Sequence, residues 1–453
     1  MDTKKFSLVL IVSAGLALRL YCLGAQSLWF DEACTTFALN NYFPTGLKAA
    51  MGSTLQNLYY YFMTVWMVIF GVSEFSIRFP SLIFSVLSIF FIFQLSKELF
   101  DEMTGLIAAF LLSVSAYSIN YAQEARMYSM LWFLGILSFL FFYRFLVRDR
   151  IIYLVLYIIF SVLAVYTAYI AFLFIIVQNI IFFIFFNKTK CKQWLVGQVV
   201  ILLFYSPWSL AFIHAVKFRQ GIAWIGKTED YYGFLTYAFG LFSGSSFGAK
   251  TFLEPWIYWF LIVSALVGIV YAFKRRHRFV LSYCIVGLWI IIPIAVYCLF
   301  DALVYPVLQQ RYIGFVHIPL VIFFSAGMMR YRVPIKTFIL ALLLFVAFSH
   351  VTPYYRNNLK IHGDDLRGLS VELLSRVREG DLIVANFNPD VMAYYYKECE
   401  ISYITSIEDN INKDRFVFVV WRWKKPSEKE LAGYNVEEAI KLKGVGLLKL
   451  KKN

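Results

Sequence analysis

The sequence contains few charged residues for its length. Only 15% of its 453 residues are Asp, Glu, Lys or Arg, whereas 60% are hydrophobic, and Phe and Tyr number 47 and 31. Soluble globular domains have an apolar share of about 45–50%. Together with a mean hydropathy of +0.68, this scarcity of charge excludes a soluble globular protein and indicates a polytopic membrane protein.

Paired cysteines and glycine-rich loops are also missing. The six Cys residues show no spacing of the C-x-x-C kind, and most lie in or beside apolar segments. This pattern argues against both a cysteine metal cluster and a disulfide framework. The polar C-terminal part contains no glycine-rich phosphate loop, and the chain has no internal repeat.

Apolar segments long enough to cross a bilayer recur from the N-terminus to about residue 350. Crossing about 30 Å of hydrocarbon takes roughly 17–25 helical residues, and a helix satisfies its own backbone hydrogen bonds in lipid. Residues 57–71 are apolar but reach only about 22 Å as a helix, so we expect them to lie in the membrane surface or to dip in and return. We predict about eleven transmembrane helices, at residues 6–24, 79–96, 104–119, 127–147, 151–167, 169–187, 194–213, 255–273, 279–300, 313–330 and 335–351.

The basic residues set the predicted orientation. The net charge of +14 is carried largely by Lys and Arg in short gaps between apolar segments, as at residues 274–278. Such residues stay on the cytoplasmic side. With an odd number of crossings, we expect a multi-pass protein of the plasma (inner) membrane with a cytoplasmic N-terminus and an extracytoplasmic C-terminus. Because the basic residues lie beside the apolar segments, we expect them to face the lipid bilayer, and their distribution argues against binding of nucleic acid.

The chain changes character after residue 352. Residues 1–352 are predicted to form a transmembrane domain, and residues 353–453, of mixed and charged composition, a small extracytoplasmic domain. Asp364 and Asp365 can cap a helix there. Apolar runs then predict strands at 382–385 and 415–421 and a short helix at 389–396. Alternation of this kind indicates a small α/β unit appended to a mainly α protein.

An acidic pair stands among aromatic residues directly after the first predicted membrane helix, in the sequence LWFDEA at residues 28–33. Two adjacent carboxylates at a membrane surface are costly to desolvate, which indicates a function. Asp31 and Glu32 are therefore candidate catalytic residues. The structural alternative is that they cap a helix, where a carboxylate at the N-terminus contributes about 0.3–1 kcal/mol.

Two later turns on the same predicted membrane face also carry charge. QEARMY at residues 123–128 contains Glu124 and Arg126, and QQRY at residues 309–312 contains Arg311. The structural alternatives are an ion pair between Glu124 and Arg126, and an Arg311 that snorkels to anchor a helix at the membrane interface.

Together the three places provide carboxylates and cations on one membrane face, and we expect Asp31, Glu124 and Arg311 to converge on one pocket open to the exterior. A carboxylate that takes the proton from an acceptor hydroxyl contributes about 10²–10⁴ in rate. Arginine stabilises a departing phosphate through bidentate hydrogen bonds. The set suits transfer from a phosphate-linked lipid, with the second carboxylate orienting the acceptor or holding a divalent ion.

These motifs resemble, in order, those of bacterial and archaeal glycosyltransferase family 39. LWFDEA at 28–33, NLYY at 57–60, FGVSEFSIRFPS at 70–81 and QEARMY at 123–128 are similar to signatures of these GT-C enzymes. The family is related to protein O-mannosyltransferases and to the aminoarabinose transferase of lipid A. The resemblance is specific over about residues 15–150 and weak afterwards, although Arg311-Tyr312 is similar to a late motif.

The resemblance implies a GT-C fold in the transmembrane domain and a glycosyltransferase that moves one sugar from polyprenyl phosphate to an extracytoplasmic lipid, glycan or protein, with inversion at the anomeric carbon. Asp31 would act as the catalytic base, and Glu32 and Glu124 would orient the acceptor. Arg126 and Arg311 would bind the donor phosphate. The substrate groove would be lined by Asn57, Tyr59, Tyr60, Tyr128 and Tyr312.

One departure from the family pattern bears on metal use. Many relatives carry a Pro-Pro pair before the Leu-Tyr-Tyr sequence, often after an acidic residue or His, where this chain has Leu55-Gln56-Asn57. The acceptor type and the metal requirement are therefore open. A divalent ion such as Mg²⁺, Mn²⁺ or Zn²⁺ would have Asp31 and Glu124 as its candidate ligands.

Two other functions share this composition. A lipid-linked sugar flippase or other transporter usually buries ionisable residues at mid-bilayer, whereas the centres of the predicted spans are almost bare of charge. An O-antigen polymerase or ligase would also act on a lipid-linked glycan, but a ligase requires a diphosphate-linked oligosaccharide. A test of the donor therefore separates the two kinds of enzyme.

Overall fold

The computed structural model describes most of the chain, namely residues 3–41, 57–185, 188–209, 213, 217, 225–226, 228–235, 279–356, 363–378, 381–396, 401–403, 416–422, 425–427, 431 and 433–452. The chain forms two compact units. The first comprises Met1–Tyr21, Ala49–Met63 and Arg78–Leu359, and the second comprises Cys22–Lys48, Thr64–Ile77 and Lys360–Asn453. The C-terminal residues thus share their unit with two earlier segments, an association that a division at residue 353 does not include.

Apolar helices build the first unit. Each span predicted within the described residues overlaps a helix, and the span predicted at 255–273 lies outside them. The helices that belong to this unit wholly or in part are Thr3–Leu20, Asn57–Phe70, Glu74–Leu99, Glu102–Val114, Ala116–Ala122, Tyr128–Val147, Ile151–Thr167, Phe172–Ile184, Lys188–Tyr205, Phe279–Leu303, His317–Met328 and Val333–Arg356. Short 3-10 turns lie at Tyr169–Ala171, Ser206–Trp208 and Gly314–Val316.

Several of these helices can cross a membrane. Among the described residues, Glu74–Leu99, Tyr128–Val147 and Phe279–Leu303 are long and apolar enough on their own, and shorter apolar helices accompany them. Apolar side chains also point outward, as at Leu202 and Leu203, which are 61% and 63% exposed. Such exposed apolar surface is suited to lipid rather than water. The number of crossings, about eleven by the length criterion, stays a prediction.

The predicted span 104–119 is two helices rather than one. Glu102–Val114 and Ala116–Ala122 are bent by 62°. The break falls at Ser115, whose hydroxyl caps the second helix by accepting a hydrogen bond from the Ser118 N–H at 3.2 Å. A serine hydroxyl competes with the backbone ladder in this way, and an apolar run gives no sign of it.

A fully buried arginine compensates for the break. Arg19 is 0% exposed and donates to the carbonyls of Leu112 and Ser113 at 3.0 and 2.8 Å. It also donates to the hydroxyls of Ser85 and Ser118 at 2.8 and 2.9 Å. A buried charge is tolerated where hydrogen bonds replace its water. Arg19 thereby supplies donors to carbonyls that the bend removes from the helical ladder.

The second unit contains a five-stranded sheet. Its strands are β1 Leu382–Ala385, β2 Ile401–Tyr403, β3 Phe416–Arg422, β4 Tyr434–Lys441 and β5 Val445–Lys452, in the spatial order β2-β1-β3-β5-β4. β1 runs parallel to β2 and β3, whereas β5 is antiparallel to β3 and β4. Helices Phe30–Asn41 and Leu366–Arg376 and the 3-10 turn Pro389–Tyr394 complete this unit together with the ends of helices shared with the first.

Apolar residues that alternate along the strands form the core on one face of the sheet. Val417 and Val419 of β3 lie opposite Leu450 and Leu448 of β5, and all four are at most 1% exposed. The prediction of a small α/β unit, with strands close to β1 and β3, is confirmed. Strand β4 was not predicted, because five consecutive residues of it are exposed and its sequence lacks an apolar run.

Candidate functional site

The LWFDEA sequence forms the start of a helix, Phe30–Asn41, which we call the acidic helix. Glu32 is 0% exposed, and its Oε2 accepts a hydrogen bond from the backbone N–H of Trp29 at 3.3 Å. This contact is one half of a capping box, in which a carboxylate in the first turn satisfies the N–H of the cap residue. Glu32 therefore caps the helix, as the structural alternative supposed, and its catalytic role stays a prediction.

Asp31 differs from its neighbour in exposure. Its side chain is only partly buried, and its backbone carbonyl accepts a hydrogen bond from the Thr35 hydroxyl at 2.8 Å. A negative charge in the first helical turn is stabilised by the helix dipole. Of the two adjacent carboxylates, Asp31 is the more exposed one.

Glu124 lies in the tight turn between the helices Ala116–Ala122 and Tyr128–Val147 of the first unit. It is 1% exposed, and Asn120 Nδ2 donates to its Oε1 at 2.7 Å. A buried carboxylate needs such donors to offset the loss of water. The turn therefore holds a carboxylate in a fixed, enclosed position.

The residue before Glu124 fixes the turn. Gln123 donates through Nε2 to the carbonyls of Arg19 and Tyr21 at 3.0 and 2.8 Å. Its Oε1 accepts a hydrogen bond from the Tyr354 hydroxyl at 2.9 Å. Three separate segments of the first unit thus meet at one amide. We did not single out Gln123 from the sequence, where it was only one member of QEARMY.

Arg126 connects the turn to the NLYY motif. Its Nη1 donates to the Tyr60 hydroxyl at 3.2 Å, and its carbonyl accepts a hydrogen bond from Ser81 Oγ at 3.1 Å. Ser81 Oγ also lies 3.3 Å from the Tyr59 hydroxyl. Residues from 57–60, 70–81 and 123–128 therefore meet in the first unit, although they are distant in sequence. Tyr59 and Tyr60 are both buried, and their role as groove residues stays a prediction.

An aromatic cluster joins QEARMY to QQRY. The Tyr117 hydroxyl donates to the Gln310 carbonyl at 3.4 Å, and the Tyr117 ring lies 4.9 Å from that of Tyr121. Tyr121 in turn lies 4.9 Å from Tyr128. The turn that carries Arg311 is thereby attached, through two tyrosines of the broken helix, to the start of the helix that follows Glu124.

Arg311 itself is partly buried. Its guanidinium lies 5.3 Å from the centroid of the Tyr312 ring, a distance at which the ring face attracts a cation. Tyr312 N–H also donates to the Gln309 carbonyl at 3.0 Å, which closes the turn. The Arg311 guanidinium is thus carried by a compact turn and lies over the ring of Tyr312.

The structure gathers most of the predicted residues in the first unit. One connected set comprises Glu124, Arg126, Tyr59 and Tyr60. The aromatic cluster extends this set to Tyr128 and to the turn that carries Arg311. Asp31 and Glu32 belong to the second unit, and the convergence of Asp31 with Glu124 and Arg311 stays a prediction. Asn57 is the first residue of a helix. Its side chain lies outside the described part of the structure, so its role in the substrate groove stays a prediction.

A metal site is not defined by the part of the chain that the structure describes. Within it, no group of three or more His, Cys, Asp or Glu residues is placed to hold an ion. Asp31 and Glu124 belong to different units. Their assignment as metal ligands therefore stays a prediction.

Other residues with a role at the acidic helix were missed. The backbone N–H of Phe30 donates to Asp364 Oδ2 at 3.3 Å, and that of Leu28 donates to the Tyr395 hydroxyl at 2.8 Å. We expected both Asp364 and Asp365 to cap the helix that follows them. Only Asp365 does so, through the Gly368 N–H at 2.8 Å, and adjacent aspartates in a sequence give no sign of which one turns away.

Comparison with known proteins supports the resemblance. Residues 57–210 match the profile of the family described as dolichyl-phosphate-mannose-protein mannosyltransferase. No curated protein sequence matches the chain significantly. The matched segment includes the NLYY and QEARMY motifs and the cluster that joins them.

Solved structures of similar fold extend over the whole chain. The apo structure of ArnT from Cupriavidus metallidurans aligns with a TM-score of 0.68 at 11% identity, covering 99% of this chain and 98% of that one. The structure of the same ArnT bound to undecaprenyl phosphate aligns at 0.62 with 10% identity and covers 97% of each chain. The oligosaccharyltransferase of Archaeoglobus fulgidus, in complex with Zn and sulfate, aligns at 0.55 with 13% identity, covering 98% of this chain and 72% of that one.

These likenesses confirm the predicted fold class, a mainly helical multi-pass membrane protein with a small sheet. At identities of 10–13% the structural likeness concerns the fold, whereas the family match concerns the sequence of residues 57–210. Residues 57–210 thus resemble the dolichyl-phosphate-mannose-protein mannosyltransferases in sequence, and the whole chain shares the fold of ArnT and of the archaeal oligosaccharyltransferase.

Proposed function

We propose that the protein transfers one sugar from a polyprenyl-phosphate donor to a hydroxyl group of an extracytoplasmic lipid, glycan or protein. The family description names a dolichyl-phosphate sugar, and one structure of the same fold holds undecaprenyl phosphate. In this proposal the chain lies in the plasma (inner) membrane with its N-terminus in the cytoplasm and its C-terminal residues outside, as the basic gaps predict.

The observation that carries the proposal is the connected set around Glu124 and Arg126. It joins a buried carboxylate, a guanidinium and two tyrosines within the segment that matches the family. Fixed cations beside a lipid phosphate lower the free energy of the departing dianion, and they do so most strongly where water is excluded.

The chemistry is an in-line displacement at the anomeric carbon. The acceptor oxygen attacks from the face opposite the phosphate, and a new C–O bond forms as the bond between carbon and phosphate oxygen breaks. The proton of the acceptor hydroxyl passes to the Asp31 carboxylate. The electron pair leaves with the polyprenyl phosphate, whose charge Arg126 and Arg311 bind through planar, bidentate donors. The sugar is transferred with inversion.

The remaining carboxylates have supporting roles in this proposal. Glu124, held by Asn120, accepts a hydrogen bond from the acceptor and orients its hydroxyl for attack. Glu32, enclosed and engaged with the Trp29 N–H, keeps the first turn of the acidic helix in place. Asp31, which is partly exposed, is left as the proton acceptor.

A panel of donors tests the proposal. Purified protein in detergent or nanodiscs is incubated with labelled polyprenyl-phosphate monosaccharides, and release of unlabelled polyprenyl phosphate is followed. We expect turnover with one monophosphate-linked sugar and none with a diphosphate-linked oligosaccharide. Consumption of the diphosphate donor alone would assign the protein to the polymerase or ligase class. Movement of intact donor across a liposome bilayer without chemical change would assign it to the flippase class.

A further inference from the structure

The sheet of the second unit has an edge of the kind that binds ligands. β1 and β3 are parallel neighbours, and in open α/β sheets ligands bind beyond the carboxyl ends of such strands. At this edge Asn386 follows β1 and Arg422 ends β3. The Arg422 N–H donates to Asn386 Oδ1 at 3.0 Å, and the Asn386 N–H donates to the Val420 carbonyl at 3.1 Å. Two hydrogen bonds thus connect the carboxyl ends of β1 and β3 at this edge.

The start of the acidic helix occupies this edge. The Arg422 guanidinium lies 4.2 Å from the centroid of the Phe30 ring. Phe387, in the segment after β1, meets the same ring edge to face at 6.3 Å. A cation over one aromatic face and an aromatic edge beside it are both favourable contacts. Phe30, the residue before Asp31, is thus held by both strands that form the edge.

Asp364 joins the edge to the backbone of the helix. It is 5% exposed, and its Oδ2 accepts from Arg422 Nε at 2.9 Å and from the Phe30 N–H at 3.3 Å. The first N–H groups of a helix have no intrahelical partner. One of them is therefore satisfied by a carboxylate 334 positions away in the sequence, and that carboxylate is fixed by the last residue of β3.

Tyr395 holds the residues just before the helix. Its hydroxyl accepts a hydrogen bond from the Leu28 N–H at 2.8 Å and donates to Glu74 Oε1 at 2.8 Å. Burial raises the pKa of Tyr395, so the phenol stays protonated and both hydrogen bonds persist in ordinary buffers. The Arg367 N–H also donates to Ser27 Oγ at 3.2 Å. Contacts at Ser27, Leu28 and Phe30 thus restrain the entry into the helix.

A glycine fixes Asp364 from its other side. Gly444, in the turn between β4 and β5, has φ of +74°, a conformation that residues with a side chain rarely adopt. A Cβ at this position would collide with Asp364 Oδ1. The adjacent Lys443 carbonyl accepts a hydrogen bond from the Asp365 N–H at 2.9 Å. The β4–β5 turn thus closes tightly on the Asp364 backbone and side chain.

We propose that three residues of the second unit set the orientation of the Asp31 carboxylate through the first turn of the acidic helix. These positioning residues, which we call the clamp, are Asp364, Arg422 and Tyr395. The inference rests on the proposed role of Asp31 as the base. It assigns a task to the C-terminal sheet: the edge where a small ligand would bind in other α/β sheets instead holds a segment of the same chain.

The expected kinetic signature follows from where the clamp acts. A misplacement of about 1 Å in a reacting group can lower a rate about 10²-fold. At the acidic helix the clamp contacts Leu28 and Phe30, beside the proposed base, whereas the arginines proposed for the donor phosphate belong to the first unit. Loosening the clamp should therefore lower kcat and leave the KM for the donor nearly unchanged.

Three variants of the full-length protein test the clamp. We expect Asp364→Ala to lower kcat about 30-fold and Tyr395→Phe, which removes one hydroxyl, about 5-fold, each with the donor KM within about twofold of the parent. Arg376→Gln is the matched control. Arg376 pairs with Glu438 at 3.2 Å in the same unit and has no described contact with the acidic helix, so its kcat should equal that of the parent.

A structural readout separates positioning from general damage. Cys34 lies on the acidic helix and is partly buried. In a background where the other cysteines are serine, loosening of the helix should raise the rate of Cys34 alkylation about 10-fold in Asp364→Ala and not in Arg376→Gln. The cysteines to be replaced are Cys22, Cys191, Cys284, Cys298 and Cys399.

The outcomes are distinguishable. Parental kcat and parental Cys34 alkylation in both Asp364→Ala and Tyr395→Phe would overturn the clamp, whether or not Asp31 is the base. If Asp364→Ala fails to fold, Tyr395→Phe decides alone, because the loss of a hydroxyl leaves the ring packing in place. If Asp31→Asn transfers sugar at the parental rate, the proposed role of Asp31 as the base is wrong, while Cys34 alkylation still shows whether the clamp holds the helix.

Discussion

The two carboxylates proposed for the reaction are held in different ways. Glu124 sits in a turn of the first unit and receives a hydrogen bond from Asn120, four residues earlier. Asp31 sits at the start of a helix whose entry is held by residues more than 330 positions away, such as Asp364 at a separation of 334. One carboxylate is fixed mainly by its own neighbourhood in the chain, and the other depends on a sheet at the C-terminus.

This difference shows how a membrane protein can combine two sources of order. Every backbone group of a helix in lipid must be hydrogen-bonded, so such helices are well ordered and hold the turn that joins them, such as QEARMY, in place. A helix at a membrane surface has water as a competitor for its hydrogen bonds and gains its order from tertiary contacts. The C-terminal sheet supplies those contacts to the acidic helix.

Among the variants that compare the two sites, Glu124→Gln is expected to have a large effect on kcat. The amide keeps the shape but removes the negative charge that orients the acceptor, so kcat should fall about 10²-fold or more. Measuring transfer from the accepted donor checks this. The control is Glu102→Gln, a carboxylate in exposed pairs with Lys4 and Lys97 at 2.9 Å, which should keep parental kcat. Parental activity in Glu124→Gln would mean that Glu124 has no role in the reaction and that Asp31 is the only one of the two carboxylates left in the proposal.

Arg126→Lys should have an intermediate effect on donor binding. Lysine keeps the charge but loses the planar, bidentate geometry, so the donor KM should rise about 10-fold with a smaller change in kcat. Tyr60→Phe removes the hydroxyl that accepts from Arg126 at 3.2 Å and should raise the KM about threefold. Steady-state kinetics over donor concentration measure both. An unchanged KM in Arg126→Lys would contradict phosphate binding by this residue.

Gly444→Ala tests whether the position of Asp364 affects the acidic helix and therefore the reaction. The added Cβ collides with Asp364, so kcat should fall about 5-fold while Glu124 is untouched. Gly433→Ala is a matched control, because Gly433 also has a positive φ, +88°, yet no atom of the residues that the structure describes lies within 4 Å of an added Cβ. Each substitution costs about 1 kcal/mol in backbone strain. An equal loss of kcat in both variants would show that strain, rather than Asp364, is responsible.

The smallest effect on the reaction is expected for Arg19→Met, although its effect on stability should be large. The substitution leaves the carbonyls of Leu112 and Ser113 without the donors that Arg19 supplies. We expect the free energy of unfolding to fall by about 3–5 kcal/mol, with kcat per folded molecule unchanged. Thermal unfolding in detergent and active-site-normalised rates measure the two quantities. A selective loss of kcat at full stability would place Arg19 in the reaction.

Much of the first unit could be predicted from the sequence. Apolar runs of spanning length gave helices at the expected places, because helices are the structures that satisfy the backbone in lipid. The break at Ser115 could not be predicted, since it depends on a hydroxyl cap and on Arg19 arriving from another helix. The contact of Arg126 with Tyr60, at a separation of 66 residues, also has no local signal, although the resemblance to a known family placed both residues in one site.

The second unit was less accessible to sequence reasoning. Buried apolar runs indicated strands near β1 and β3, because a strand buried on both faces needs such a run. The exposed residues of β4 carry no such pattern. The partner of Asp364 depends on how the sheet meets residues 27–30, a tertiary relation that neither propensity nor periodicity encodes. The clamp could therefore be found only in the structure.

The most direct test of the account is the rate of sugar transfer by Asp31→Asn in a single turnover, with saturating donor and acceptor. The amide is close in size to the carboxylate but is not a base, so we expect the transfer rate to fall by about 10²–10⁴ while donor binding and thermal stability stay at parental values. A single-turnover rate equal to that of the parent would contradict the assignment of Asp31 as the group that takes the acceptor proton.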